Sequence, residues 1–234
     1  MNIGAVAKLW RYPVKSMLGE ECGQLELEGR GFRGDRLFAV RDDEGKLGSG
    51  KNTRRFRAID GLFNFHARYC GDCPEIVFPD GLTMRGDDPT IHDALSEVLG
   101  TAVTLAREAH TPHFDNGAVH IVSTAALTWL RSQLGDSRID ERRFRPNIVV
   151  TTHGSAQVEQ SWVGKVLRIG DGARLRITTT TERCRMTTLA QSDLPADPKV
   201  LRCIAQDAGL QFGMYAEVVE PGRVANGDAI GLDA

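Results

Sequence analysis

No apolar run in the 234-residue chain approaches the roughly 20 residues that a membrane-spanning helix requires. Met1-Asn2-Ile3-Gly4 leads straight into strand-like sequence, without the charged and apolar regions of a signal peptide. A soluble, cytoplasmic protein with no membrane association is expected. An excess of charge is also lacking: 29 Lys and Arg face 31 Asp and Glu, a net charge of −2. The overall field therefore suggests neither nucleic acid nor an acidic membrane surface as a partner, and any anion site must be local. Cysteine is scarce. Cys22, Cys70, Cys73, Cys184 and Cys203 make an odd set of 5, which leaves at least one thiol free and suits a reducing compartment better than a disulfide framework. What the chain does have is 41% hydrophobic residues, enough at this length for a core without covalent staples.

Helical patterns are few. Ser123 to Leu134 reads as a helix capped by Ser123 or Thr124 and stopped by Gly135, and Asp197 to Ala208 as one capped by Asp197, with Pro198 in its first turn and Gly209 at its end. A shorter helix follows Asp88-Pro89 through Ile91, Leu95 and Val98. Most of the remainder is short and β-branched: residues 3–9, 37–41, 75–78, 102–106, 119–122, 147–151, 166–169, 175–180 and 215–219 read as strands. Asp80-Gly81, Asp171-Gly172 and Asn226-Gly227 punctuate them as turns. Short strands without strand–helix alternation predict a mainly β fold, a barrel or sandwich with a few helices. Gly100 ends a helix before strands resume, which places a domain boundary there and divides the chain into residues 1–100 and 101–234.

Three familiar patterns fail on context. Gly29-Arg30-Gly31-Phe32-Arg33-Gly34 spells a dinucleotide fingerprint, but the strand-like Arg36–Val40 follows where a helix should open, so the glycines read as a tight turn. Gly45 to Lys51 nearly completes a phosphate-binding loop, yet Asn52 stands where a hydroxyl should hold magnesium. The run still carries Lys51, Arg54, Arg55 and Arg57, cations that could be solvated or could hold a phosphate. Cys70-Gly71-Asp72-Cys73, with His66 nearby, offers half a zinc site or a redox pair, and no second pair completes it.

Other residues gather at strand ends. Pro13 turns the chain out after the first strand near Lys15 and Ser16, Asp35 and Arg36 follow the glycine turn, and Arg145 and Asn147 sit where a loop enters a strand. Together they supply charges, an amide and a hydroxyl suited to a phosphorylated, heteroatom-rich cofactor. Cys184 adds a thiol. Taken alone, it is as well read as a small buried hydrophobe as a ligand. In an extended segment, Arg183 and Arg185 would point away from it, so distant cations such as Arg36 or Arg145, or a metal, would have to stabilise a thiolate.

Tyr12-Pro13-Val14-Lys15-Ser16, Gly34-Asp35-Arg36, Phe144-Arg145-Pro146-Asn147, Trp162-Val163-Gly164, Arg183-Cys184 with Thr187-Thr188, and Phe212-Gly213-Met214-Tyr215 occur in an order that resembles MOSC-domain proteins, named for the C-terminal domain of molybdenum cofactor sulfurase. The chain also resembles the amidoxime-reducing components that join an N-terminal MOSC β-barrel domain to the MOSC domain proper. The resemblance spans nearly the whole chain and implies a β-barrel MOSC fold, with the N-terminal MOSC barrel in residues 1–100 and the MOSC domain in 101–234. It implies molybdenum cofactor (molybdopterin) binding, with Cys184 as catalytic residue and metal ligand. Lys15, Ser16, Arg36, Asp115, Asn116, Gly117, Arg145, Asn147, Arg183 and Tyr215 are its implied cofactor contacts. Pyridoxal phosphate is not expected.

The activity so implied is an oxidoreductase that removes oxygen from a small N-hydroxylated or related N- or S-oxygenated substrate. Electrons would come from a separate donor protein of the ferredoxin or flavin reductase type, since the chain lacks a ferredoxin-like cysteine cluster. The alternative is a carrier of the cofactor, or of sulfur as a persulfide on Cys184. A third reading makes Cys70 and Cys73 a metal or thiol-redox pair. Two departures touch the substrate side: Met17 stands where the family commonly has cysteine, and Leu189-Ala190-Gln191 replaces Val-Asp-Pro. The stretch from Ala106 to Asp115 is also short, which would open or shrink one wall of the site.

Overall fold

The computed structural model describes residues 1–233. Seven strands close into a barrel. In order around it they are Ile148–Thr151, Val119–Ser123, Gln211–Glu220, Ala173–Glu182, Val166–Ile169, Ala229–Asp233 and Asn2–Arg11, which returns to pair with Ile148–Thr151. Closure leaves these strands no open edge along the ring. Neighbours are antiparallel except Val119–Ser123 beside Ile148–Thr151, where the helix Thr124–Gln133 occupies the crossover that a parallel pair needs. Alternation fills the interior: Ala173, Leu175 and Ile177 are buried while Arg174 and Arg176 face out. They meet Val6, Leu9, Ile121, Ile148, Leu167, Ile169 and Met214.

Three α-helices occur among the described residues, at the expected places. Helix α1, Ile91–Leu99, ends at Gly100 with φ +64°. Helix α2, Thr124–Gln133, is capped by Ser123, whose Oγ accepts from the Ala126 N–H at 3.0 Å. Helix α3, Pro198–Ala208, has Asp197 as cap and Gly209 at φ +56°. The last two cover the outside of the barrel through Leu127, Leu130, Val200 and Ile204, packed with Phe144, Phe212 and Tyr12. A separate core of Val14, Val40, Phe65, Ile76 and Leu95 lies in the first half. Its strands are a four-stranded sheet that includes Phe38–Arg41, Leu47–Ser49 and Phe56–Ala58, and the meander His66–Cys70, Cys73–Val77, Thr83–Arg85.

The mainly β expectation holds. Strand pairing crosses residue 100. Asn2–Arg11 is a barrel strand paired with residues of the second half, and Thr104–Arg107 pairs with Phe38–Arg41. Backbone donors and acceptors must be satisfied by whichever strand lies in register, so the two parts of the chain share ladders.

Candidate cofactor-binding site

The first wall grows out of the N-terminal strand. Beyond Arg11 the chain leaves the barrel, and Lys15 N–H donates to the Phe38 carbonyl at 2.8 Å before the backbone turns at Ser16, φ +64°. Ser16 Oγ donates to the Gly48 carbonyl at 3.0 Å. Lys15 Nζ lies over the Phe56 ring at 4.7 Å and donates to Asp115 Oδ1 at 3.0 Å. Gly34 is required in the next turn: φ is +80°, and a Cβ there would stand 2.5 Å from the Tyr69 ring. Asp35 Oδ1 accepts from the Tyr12 N–H at 2.8 Å, and Arg36, at φ +49°, ion-pairs with Asp35.

The second wall comes from the other half. A 3-10 turn over Glu141–Phe144 ends in Arg145 at φ +54°. Its guanidinium stacks on Tyr12 at 4.2 Å and donates to the Met17 carbonyl at 2.7 Å, while Arg36 lies over Tyr12 at 4.8 Å and donates to the Arg145 carbonyl at 3.0 Å. The two halves are thus stitched through Tyr12. Asn147 joins the same seam: Oδ1 accepts from His120 N–H at 3.0 Å and Arg36 at 3.3 Å, and Nδ2 donates to the Trp10 carbonyl at 3.3 Å. Among the described residues, Ser16, Arg36 and Arg145 are three of five non-glycine residues with positive φ, a concentration of backbone strain at one place.

Cys184 follows the long strand Ala173–Glu182, whose pairing with Gln211–Glu220 slips at Ile177/Thr179 and again at Thr180/Glu182. Such bulges re-aim a strand end. Cys184 is extended, half-buried and free, and opens the 3-10 turn Arg185–Thr188. Across from it, residues 115–117 lie against Tyr215, which Gly117 permits because a Cβ there would stand 2.7 Å from the Tyr215 Cβ. Arg55 steadies this loop by donating to the carbonyls of Pro112 and Asp115. The short stretch before Asp115 therefore forms a wall.

All eleven residues singled out from the sequence line one cleft: Lys15, Ser16, Arg36, Asp115, Asn116, Gly117, Arg145, Asn147, Arg183, Cys184 and Tyr215. It encloses about 830 Å³ including its mouth. Six of its lining residues are Lys or Arg and two are carboxylic acids, so a chain of net charge −2 concentrates positive charge here. Burial pulls the Lys15 ammonium down to about 8 although Asp115 opposes it, and burial with Arg36 nearby pulls Arg145 down to about 10. Desolvation would raise the Asp115 carboxyl, but Lys15 holds it at about 2. His120, buried and facing Arg183, is pushed well below the usual histidine range. Its Nε2 accepts from Arg183 at 3.3 Å, which fixes a neutral ring with the proton on Nδ1.

The expectation that both arginines flanking Cys184 point away needs correction. Arg185 is exposed, but Arg183 shares the cleft with the thiol, because its side chain is drawn in to donate to the Phe144 carbonyl at 3.0 Å. Of the cationic run, Lys51 reaches the cleft, Arg55 holds the loop, and Arg57 is paired with Asp42 and Glu44. Cys70 and Cys73 face each other across a two-residue hairpin turn, and neither lines the cleft. Among the described residues, the one group of potential ligands with metal-like spacing is Asp42, Asp43 and Glu44, which includes no cysteine. Sequence reasoning missed His120, Arg143, Phe114 and Met186; His120, in an apolar strand run, reads as ordinary core.

Comparison with known proteins agrees with this geometry. The model for the MOSC domain matches residues 106–231, and that for the MOSC N-terminal beta barrel domain matches residues 3–62. Mitochondrial amidoxime-reducing component 1 of Mus musculus is 27% identical, with 99% of this chain and 83% of that protein aligned. The Homo sapiens protein of the same name is 25% identical over the same shares. Among solved structures, the YuaD protein of Bacillus subtilis superposes with a TM-score of 0.58 at 18% identity, covering 99% of this chain and 96% of that one, a likeness of fold. With more than half of its length matched by one domain model and its N-terminal part by the companion model, the chain belongs to the MOSC domain family.

Proposed function

We propose that this protein is a molybdenum-cofactor-dependent reductase of N-hydroxylated substrates, with Cys184 as the thiolate ligand of the metal and a separate protein as electron donor. The observation that carries the reading is a free thiol on the wall of a cleft whose charged lining is six cations against two carboxylic acids. The donor set fits the cofactor. Arg145 Nη2 and Arg183 Nε are buried without a partner among the described residues, and Lys15 and Arg145 are held below their ordinary pKa values. Buried donors left in that condition gain when an anionic, oxygen-rich group arrives. A thiolate is a soft ligand suited to a redox-active metal.

Lys15, Arg36, Arg145 and Arg183 would hold the anionic parts of the cofactor, and Ser16, Asn116 and Tyr215 would offer neutral hydrogen bonds. Asn147 positions Arg36 and the His120 backbone, and its Nδ2, which makes one hydrogen bond, has a second hydrogen to offer the cofactor. When bound, the cofactor would supply a redox-active metal and with it the two-electron chemistry that reduction of an N–OH group needs. Neutral His120, its Nε2 occupied by Arg183, holds that guanidinium against the Phe144 carbonyl, beside Cys184. Lys15, at about 8, keeps its proton at neutral pH and thus its positive charge deep in the cleft. Removing oxygen as water consumes two electrons and two protons. The five cysteines are all free and Cys184 alone of them lines the cleft, which favours an external donor.

Cys184→Ala, purified from cells that make the cofactor, should lose most of its molybdenum and its turnover of an aryl amidoxime with a chemical reductant. Full metal content together with full turnover would overturn the assignment. Stoichiometric release of cofactor or sulfur to an acceptor protein, without turnover, would make the protein a carrier instead.

A further inference from the structure

Beyond Ser16, Ser49 and Met186, which line both spaces, the cleft adjoins a second recess of about 550 Å³ including its mouth. One side is built from Ile59, Leu62 and Phe63, the other from Met186, Leu189 and Ala190. The glycine run left over when the phosphate-loop reading fails is the partition between the two spaces. Gly50 N–H donates to Met186 Sδ at 3.1 Å, and a Cβ on Gly50 would stand 2.4 Å from that sulfur and 3.3 Å from Leu189 Cδ1. A Cβ on Gly48 would stand 3.1 Å from Leu62 Cδ1 and 3.3 Å from Ile59 Cδ1. Glycine therefore lets one backbone segment touch both apolar walls while its Gly48 carbonyl accepts from Ser16.

The lining changes character abruptly. Arg183 and Cys184 belong to the cationic cleft, and Met186, two residues on, faces both spaces. In the recess the one charged lining residue is Asp60, which is exposed and stands at the rim. Opposite charge and opposite polarity on the two sides of Met186 suit two different parts of a reacting complex. The cationic side takes an anionic cofactor; the apolar side, of a size that accepts one aryl group, takes something uncharged in its body. We propose that this recess binds the apolar, aryl-sized body of the substrate, and that Asp60 favours substrates carrying positive charge, such as N-hydroxyguanidines, over neutral amidoximes. The inference rests on the cleft around Cys184 being the reacting centre.

Three substrates separate the contributions: hydroxylamine, too small to reach the recess; benzamidoxime, neutral and aryl; and an aryl N-hydroxyguanidine, cationic. Ala190→Trp, at an exposed position, fills the recess and should lower kcat/KM for benzamidoxime about tenfold relative to hydroxylamine, chiefly through KM. Asp60→Asn should raise KM for the cationic substrate about two- to fivefold relative to benzamidoxime, the modest effect of an exposed carboxylate. Saturation-transfer NMR on cofactor-free protein should detect the benzamidoxime ring and lose it in Ala190→Trp. If Ala190→Trp leaves both the substrate ratio and the NMR signal unchanged, the recess is not the substrate pocket. Equal KM changes for neutral and cationic substrates in Asp60→Asn would remove its selecting role. Ring binding that responds to Ala190→Trp in loaded protein that turns over none of the three would overturn the reductase reading and leave the recess standing.

Discussion

Replacing Lys15 by Met should make the cofactor-free protein more stable at neutral pH and at the same time weaken its hold on anionic ligands. The Lys15 side chain is 4% exposed, and burial brings its ammonium from 10.5 to about 8 in spite of Asp115. That displacement corresponds to about 3 kcal/mol by which the fold disfavours the charged form relative to the unfolded chain. The penalty is present in full below about 8. Between about 8 and 10.5 the unfolded chain holds a proton that the folded one has released, so the stability of the native protein rises with pH across that window. Met has similar length and no charge, and Asp115, 44% exposed, can turn to water when its partner goes. Unfolding by urea, followed by circular dichroism, should show the variant ahead by up to about 3 kcal/mol at pH 7, shrinking to about 1 kcal/mol at pH 9.5. Pterin retention should fall about tenfold or more, since a charge-assisted hydrogen bond is lost. A variant less stable than the native protein by about 1 kcal/mol or more at pH 7 would refute the reasoning, because it would mean that the Lys15–Asp115 pair stabilises the fold.

Arg145→Lys keeps the charge but loses the flat guanidinium stacked on Tyr12 at 4.2 Å, so cofactor retention should drop about tenfold; equal retention would show that charge alone matters there. Gly213→Ala places a Cβ 2.6 Å from His120 Nε2 and 2.9 Å from the Ile121 carbonyl at φ +81°, and should cost about 2 kcal/mol or more, read as a lowered Tm. Burial raises the Glu159 carboxyl above its ordinary range, although Ser123 Oγ donates to it at 2.6 Å. The folded state therefore holds that proton more strongly, and stability falls as pH rises above the ordinary glutamate range. Glu159→Gln should accordingly unfold at higher temperature than the native protein at pH 7, with the gap closing near pH 4.

Much of the cleft was legible in the sequence because its residues sit at punctuation. Pro13, Gly34 and Pro146 mark where strands begin or stop, and side chains beside such points project from strand ends. The helices were legible through their caps, Ser123 and Asp197, and through Gly100 and Gly209. Strands of two or three residues, such as Gly31–Phe32 and Leu47–Ser49, were not, since a period of two cannot establish itself over so few positions. The partners of Asn2–Arg11 were also hidden, because register over more than a hundred residues leaves no local trace. Arg183 was misplaced for a related reason. Alternation along a strand predicts sides only while the strand is regular, and three register slips precede Cys184.

The seam between Asn2–Arg11 and the strands of the second half also sets an order of events in the cell. This strand pairs locally with Glu20–Cys22, but it finds its two barrel neighbours only when Ile148–Thr151 and then Ala229–Asp233 have been made. Lys15 and Ser16 follow the end of that strand and the Arg36 N–H donates to the Tyr12 carbonyl just beyond it, so the cationic cleft takes its final shape only once Ala229–Asp233 is in place. The cleft is therefore complete only once the barrel has closed, and a change that loosens the closing pairs at either end of the chain is felt at the cationic wall.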